Sequence, residues 1–367
     1  MVLVDFSSII HRMIYTSIAN IKPAKEDGKY ITSEFVGLTK YFIMQELFSI
    51  NALHNAKFGD IVICLDKSSD GYWRKDFYPG YKAGRKKGRE ESEINFSEVF
   101  KEIDELIDQI NHNLPWKVIA VPKAEADDIM LILAKEYNKY ENILIHSPDK
   151  DMIQAQRDND NVFQYSSLTK KWLVPENKHE SMDEWVLEHV CLGDAADEVP
   201  KVVDHTEFSD NFLEYLKENG YNISSPYEFK VAGIPDSDKR NLIMGFDIEK
   251  TNRKGESTGI KDIYRDIRFG PSTLKKEIKK HGSLDAWLDS HPMYRKHYER
   301  NFTLVMAEGI PTDIWNNVIL AYKTAKSDYN PVQFEEYLIN NNLKTLLLEL
   351  TQHFKINRPL TASDFGW

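Results

Sequence analysis

Acidic side chains recur in this sequence at positions that share one property: each lies just past a short apolar run. Asp5 follows Val2-Leu3-Val4, and Asp66 follows Ile61–Leu65. Glu125, Asp127 and Asp128 stand in Lys123-Ala124-Glu125-Ala126-Asp127-Asp128, beyond Val118–Val121. Asp149 and Asp151 flank Lys150 in Ser147-Pro148-Asp149-Lys150-Asp151, after Ile143–Ile145, and Gly193-Asp194-Ala195-Ala196-Asp197 sets two carboxylates three apart. Singly, each group has an ordinary explanation. Acids at a helix start cap it and complement its dipole. An Asp-Lys-Asp step after Pro is turn chemistry, and two acids three apart form one solvated helix face. Jointly, so many carboxylates on one edge repel by several kcal/mol unless something neutralises them. Divalent cations do so. Oxygen ligands without His or Cys select Mg2+, with Mn2+ as substitute, over zinc. Two such ions about 4 Å apart activate water, hold a phosphate and stabilise the departing oxygen. The chemistry expected is therefore phosphodiester hydrolysis with no covalent nucleophile.

The elements that must position these acids are legible in the first half of the chain. Val2–Val4, Ile61–Leu65, Val118–Val121 and Ile143–Ile145 are near-continuous apolar runs, the mark of strands covered on both faces of a parallel sheet. Helix-compatible stretches at Phe6–Ala19, Ser33–Ala56, Phe96–Ile110 and Ala124–Tyr137 alternate with them. The alternation predicts βαβ units and an α/β fold with a doubly wound parallel sheet. Ligands of such sheets bind outside the carboxyl ends of the strands, where the acids fall. Val162–Tyr165 reads as a further strand, with Trp172–Val174 as its hairpin partner. After about Gly193 the pattern becomes helices and loops, with polar loops expected at Pro235–Arg240 and Lys250–Gly259 and an exposed tail at Pro359–Trp367.

The formal charge of −11 argues by itself against a nucleic-acid partner. The charge is segregated, however. Gly71–Arg89 holds Arg74, Lys75, Lys82, Arg85, Lys86, Lys87 and Arg89 against the single acid Asp76, and Arg268–Lys280 holds Arg268, Lys275, Lys276, Lys279 and Lys280 against Glu277. The first segment also carries Tyr72, Trp73, Phe77, Tyr78 and Tyr81, so it offers phosphate attraction together with base stacking. In the second, Phe269-Gly270-Pro271-Ser272-Thr273-Leu274-Lys275-Lys276 reads as a helix start whose N–H groups can grip a phosphate.

Taken in chain order, these motifs resemble the 5′-nuclease (flap endonuclease) superfamily, and within it the ribonuclease H type of T-even bacteriophages. Gly71-Tyr72-Trp73-Arg74-Lys75-Asp76-Phe77 and Tyr81-Lys82-Ala83-Gly84-Arg85 carry the narrower likeness, which covers most of residues 1–197. The resemblance implies that Asp5, Asp66, Glu125 and Asp127 hold one metal ion, that Asp149 bridges toward a second, and that Asp151, Asp194 and Asp197 surround that second ion. Asp128 is then an outer partner or a helix cap. It implies that Lys82 and Arg85 act on the phosphate, and that Arg74, Lys75, Lys86, Lys87, Gly270, Ser272, Lys275 and Lys276 contact nucleic acid. The fold implied is a PIN/5′-nuclease-like α/β domain over residues 1–195, with a basic arch at about 71–105. A mainly helical DNA-binding domain over 196–367, with a helix–three-turn–helix-like element, would come after it.

About 70 residues separate Asp197 from Gly270 where relatives have a short turn, so an insertion is expected at about 198–268, and Glu198 stands where relatives commonly have Asn. The implied activity is 5′-to-3′ exonuclease and flap cutting in DNA replication, on DNA with 5′ ends or flaps and on RNA–DNA primer junctions. A single-stranded-DNA-binding protein and a sliding clamp are the implied partners, with Ser363–Trp367 as either an anchor for one of them or a frayed tail. A non-catalytic DNA-binding scaffold and a PIN-type ribonuclease are the competing readings.

Composition sets the outer bounds. With 367 residues, 41% hydrophobic and 29% charged, the chain can bury a substantial core and hold two structural units. Apolar runs fall short of the roughly 20 residues of a membrane span, and the first residues lack the features of a secretory signal. Cys64 and Cys191 sit in apolar stretches and are expected to be buried reduced thiols. A monomer in the cytoplasm, that of the host cell for a bacteriophage protein, is the expectation.

Overall fold

Strands Val2–Asp5 (β1), Ile61–Leu65 (β4), Lys117–Ala120 (β5), Ile143–His146 (β6), Val162–Ser166 (β7) and Lys171–Leu173 (β8) form one sheet in the order β5-β4-β1-β6-β7-β8. In this computed structural model the described residues are 1–67, 71–157, 159–174, 181–203, 210–223, 229, 232–246, 249–251, 257–260, 269–290, 294–326 and 329–354. All neighbours in the sheet are parallel except the β7–β8 hairpin. The strand pattern is thus the expected one, with ends shifted by a residue or so.

Two compact units divide the chain. The first comprises Met1–Trp73, Lys87–Lys178 and Ile310–Trp367; the second comprises Arg74–Lys86 and His179–Gly309.

In the first unit, Val2, Val4, Ile61, Ile63 and Leu144 bury one face of the sheet in a cluster with helices Phe6–Ile21 (α1), Thr32–Phe58 (α2) and Phe96–Asn113 (α5). The alternate residues Leu3, Val62 and Ile145 are equally buried, on the other face, where helix Ala126–Tyr137 (α6) packs. Full burial on both faces explains why these strands read as unbroken apolar runs. A short hairpin, Lys25–Glu26 (β2) with Lys29–Tyr30 (β3), turns on Asp27 and Gly28, both at positive φ (48° and 77°), as a two-residue Asp-Gly turn requires.

The C-terminal helices belong to this same unit. Phe334, Tyr337 and Leu338 of helix Pro331–Asn340, with Leu343, Leu346, Leu347 and Leu350 after it, are buried in the cluster beneath α2 and α5. A single boundary at 195/196 therefore does not match the division into units: periodicity identifies an apolar helix face but not its distant partner. The basic segment is also shorter than 71–105. It spans helices Trp73–Phe77 (α3) and Gly84–Glu91 (α4), whereas Val99 and Ile103 of α5 are core residues.

In the second unit, helices Met182–Leu192 (α7), Pro271–His281, Leu284–Leu288 and Tyr294–Val305 gather around Cys191, Val202, Val203, Phe269, Leu274, Trp287 and Leu288. Phe212, Leu216, Ile223, Phe229, Ile234 and Ile243 form a separate small core within the insertion. Two expectations fail here. Pro235–Arg240 begins the helix Asp236–Gly245, and Lys250–Gly259 overlaps the antiparallel strands Glu249–Thr251 and Ser257–Ile260. Pro, Asp and Ser are turn formers, but they are equally the residues that start helices; here the Pro235 carbonyl accepts from the N–H groups of Asp238 and Lys239. The tail at 359–367 lies outside the described residues. Among the described residues no helix is long and apolar enough to cross a membrane.

His146 closes β6 at 4% exposure, between the rings of His54 and Tyr165. Burial pushes its imidazole down to about 4. The folded chain thus favours the neutral ring, and its contribution to stability is full above pH about 6.5 and lost as the pH falls toward 4. Wild type should lose about 3 kcal/mol more than His146→Gln across that window, measured by urea denaturation at a series of pH values. Parallel pH profiles would contradict the assignment.

Candidate metal centre

The register places the acids of the first unit at one edge. Asp5 pairs with Cys64, Val4 with His146 and Leu65 with Ala120, so β1, β4, β5 and β6 all end at the same rim. Asp5, the last residue of β1, is also the cap of α1. Its Oδ1 accepts from Ser8 N–H at 2.9 Å and its Oδ2 from Ser147 Oγ–H at 2.9 Å. Asp66 leaves β4 and accepts from the N–H of Ala126 at 2.7 Å, which ties it to the start of α6. Glu125 caps that helix and Asp127 lies in its first turn. Asp149 leaves β6 and caps the 3-10 helix Lys150–Gln156, its Oδ1 accepting from Asp151 N–H at 2.9 Å. Asp151 is in turn paired with Lys150 at 3.2 Å.

Asp128 takes the cap role. Its Oδ2 accepts from Glu125 N–H at 2.9 Å and from the indole N–H of Trp73 at 3.0 Å, and so joins the base of the basic segment to α6.

Crowding of negative charge is felt by a neighbour. Burial, and then the charges of Asp5 and Asp127, push the Cys64 thiol well above its ordinary range. Burial alone pushes Cys191 up to about 12. Both cysteines are free and buried, and both stay protonated and unreactive at neutral pH. Asp5 and Glu125 are only 7% and 4% exposed, so water does little to screen them. The N-termini of α1 and α6 contribute partial positive charge. An all-oxygen donor set fits a hard divalent cation.

Asp194 and Asp197 belong to the second unit, in the loop after α7. Asp194 Oδ1 accepts from the N–H groups of Ala196 and Asp197, and its backbone pairs both ways with Val199. The Asp197 carboxylate is held by Arg85 at 2.8 Å, by Tyr81 Oη–H at 2.9 Å and by Lys82 Nζ at 3.3 Å. Lys82 is 5% exposed, whereas Arg85 is open to solvent.

Lys82 and Glu198 both adopt left-handed backbone, with φ 51° and 61°, a conformation that costs non-glycine residues about 1 kcal/mol or more. Hydrogen bonds between the two turns hold them there: Lys82 N–H to Asp197 O at 3.1 Å, and Gly84 N–H to Glu198 Oε2 at 2.8 Å. A Cβ at Gly84 would meet Glu198 Oε1 at 2.6 Å, so the glycine admits the carboxylate to the start of α4.

The remaining basic residues divide. Arg74 is buried, its Nε donating to Leu304 O at 2.7 Å, so it anchors the segment instead of offering the exposed phosphate contact expected. Lys75 is half-buried, and the side chains of Lys86 and Lys87 lie outside those described. Gly270 caps helix Pro271–His281, with Ser272 and Lys276 exposed in its first turns. Lys275 is paired with Glu184 of α7. Ser147 and Glu198 were not singled out as site residues by the sequence, and Trp73 and Tyr81, expected to stack on bases, are buried and bond to Asp128 and Asp197 instead. A Ser immediately before Pro-Asp and a Glu where Asn was expected were the available signals.

The family profile described as "5′-3′ exonuclease, N-terminal resolvase-like domain" matches residues 1–188. This chain belongs to that 5′-3′ exonuclease family. Ribonuclease H of enterobacteria phage T4 is 30% identical over 208 residues, 56% of this chain and 64% of the relative, so the chain spans less than two thirds of that relative's length. A 5′-3′ exonuclease of Buchnera aphidicola is 28% identical over 248 residues, 66% of this chain and 79% of the relative. Among solved structures, the T5 5′-exonuclease with divalent metal ions (zinc) bound aligns with a TM-score of 0.52 at 12% identity, covering 89% of this chain and 99% of that one. That last likeness is one of fold.

Loss of the Glu198 carboxylate in Glu198→Ala should weaken the start of α4 by about 1 kcal/mol, seen as roughly fivefold faster amide exchange over residues 84–91. Glu198→Gln keeps an acceptor and should lie between the two. Unchanged exchange in Glu198→Ala would show that the bond to Gly84 does not hold the helix.

Proposed function

We propose that this chain is a divalent-metal-dependent 5′ nuclease, a 5′-to-3′ exonuclease and flap endonuclease that removes primers and flaps during replication. The observation that carries the reading is the delivery of Asp5, Asp66, Glu125, Asp127 and Asp149 to one rim of the parallel sheet. Membership of the 5′-3′ exonuclease family supports it. These five carboxylates would hold Mg2+, with Mn2+ as substitute, and a second ion stays part of the proposal on the resemblance alone. When bound, such cations lower the pKa of water and stabilise charge on a phosphate under attack.

The chain's own residues would do the rest. The carboxylates would fix the geometry of the centre, and the family resemblance would have Lys82 and Arg85 neutralise charge on the phosphate. Asp197 is the counter-ion of both cations, so a substrate phosphate must compete with it. The exposed residues of 71–91, Phe77, Arg85 and Arg89 among them, would receive single-stranded nucleic acid by stacking and charge. DNA with 5′ ends or flaps and RNA–DNA junctions are the proposed substrates. Single-stranded-DNA-binding protein and sliding clamp are the proposed partners.

Asp149→Asn should abolish cleavage of a 5′-labelled flap in Mg2+ while binding, followed by fluorescence anisotropy in Ca2+, stays close to wild type. EDTA should abolish wild-type cleavage. Turnover retained in Asp149→Asn, or in EDTA, would overturn the proposal, and single-stranded RNA cut in preference to flap DNA would favour a PIN-type ribonuclease. Neutralising Lys86 and Lys87 together should weaken binding and reduce the slope of log affinity against log salt by about 1 to 2. An unchanged slope would remove them from the interface.

A further inference from the structure

The turn that carries Asp149 lies beyond the ladder that pairs β6 with β7. The β6–β7 ladder ends with His146 opposite Tyr165, and Pro148 has no N–H to give. The carbonyls of Ser147 and Asp149 both accept from one side-chain amide, Nε2 of Gln164, at 3.0 and 2.5 Å, and Asp149 O accepts also from Met152 N–H at 3.3 Å. Gln164 lies at the centre of β7, is 1% exposed, and alternates with the buried Val162 and Ser166. Two carbonyl oxygens on one side admit only the NH2 end of an amide, so its orientation is fixed. Oε1 has no hydrogen-bond partner among the described residues. An apolar side chain of similar length would fill this place without burying that acceptor, so what the amide adds is its pair of donors.

The bonds continue toward the metal centre. Ser147 Oγ donates to Asp5 Oδ2 at 2.9 Å and accepts from Asp149 N–H at 3.1 Å, and Asp149 Oδ1 accepts from Asp151 N–H. A path of hydrogen bonds thus runs from the centre of β7, through the turn at 147–149, to the carboxylate at the end of β1.

We infer that Gln164 is a positioning residue that sets the Asp149 carboxylate against that of Asp5, with Ser147 as the link. Its bonds are to the backbone of the turn, at the carbonyls of Ser147 and Asp149. They tie the turn to β7 beyond the end of the ladder and so fix where a ligand-bearing turn stands. This inference rests on the metal-centre reading. Partners that orient ligating groups typically change metal affinity 10- to 100-fold when removed, and a shift of about half an ångström in a ligand suffices for that.

The test uses the full chain and Mn2+ as probe, titrated by electron paramagnetic resonance, with the melting temperature in EDTA recorded for each variant. Gln164→Met keeps the length and removes the donors. It should bind Mn2+ 10- to 100-fold more weakly while melting in EDTA within a few degrees of wild type. Ser147→Ala, which removes only a hydroxyl, should shift affinity in the same direction, and it carries the test if Gln164→Met fails to fold. The double variant should be no weaker than the product of the two single losses, because both act through one path. Wild-type Mn2+ affinity in a folded Gln164→Met, or a fall in melting temperature with affinity unchanged, would overturn the inference and leave the metal reading standing. Equal Mn2+ affinity in wild type and Asp149→Asn would overturn the metal reading, and the inference with it.

Discussion

Mutual repulsion among carboxylates at the rim of a parallel sheet is the constraint on which the rest depends. Parallel strands all run one way, so β1, β4, β5 and β6 discharge their carboxyl ends, and the residues just beyond them, at the same edge. An antiparallel sheet of the same residues would divide these acids between two edges. The helix starts at Asp5 and Glu125 bring partial positive charge, and N–H groups of Ser8, Ala126 and Asp151 each take up a carboxylate oxygen. These contacts orient the acids. An edge of oriented carboxylates is the kind of donor set that a hard divalent cation takes.

In the second unit the balance is local. Asp197 faces Lys82, Arg85 and Tyr81, and two turns with unfavourable backbone angles are locked together by bonds from Lys82 and Gly84. The two candidate phosphate-binding cations are therefore presented already charged and already oriented. A phosphate that engages them must displace this counter-ion, but it need not order two long side chains, each of which costs up to about 2 kcal/mol. Glu198, a departure from the pattern the sequence resembles, is part of this arrangement and fits a space that Gly84 leaves open.

Much of this was legible because it is local. Runs such as Ile61–Leu65 and Ile143–Ile145 announce strands buried on both faces, and the acids after them announce the edge. The features that escaped the sequence depend on contacts between distant segments. Nothing near Phe334 or Leu338 says that their helix will seal the core of the first unit, and nothing near Arg74 says that Leu304 will receive its guanidinium. Pro235-Asp236-Ser237-Asp238 reads as a loop and starts a helix, because the same residue types serve both and the neighbouring chain decides between them. Gln164 had a visible sign, a single amide inside an apolar strand, whose meaning needs the carbonyls opposite it.

The insertion leaves the second unit after Val203 and rejoins it at Phe269, and both residues lie in one apolar cluster. A segment that departs and returns at the same spot makes no demand on the threading of its host. With a miniature interior of its own around Phe212 and Phe229, it behaves as a graft on a closed ring. Lengthening or trimming such a segment leaves the stem from which it grows undisturbed.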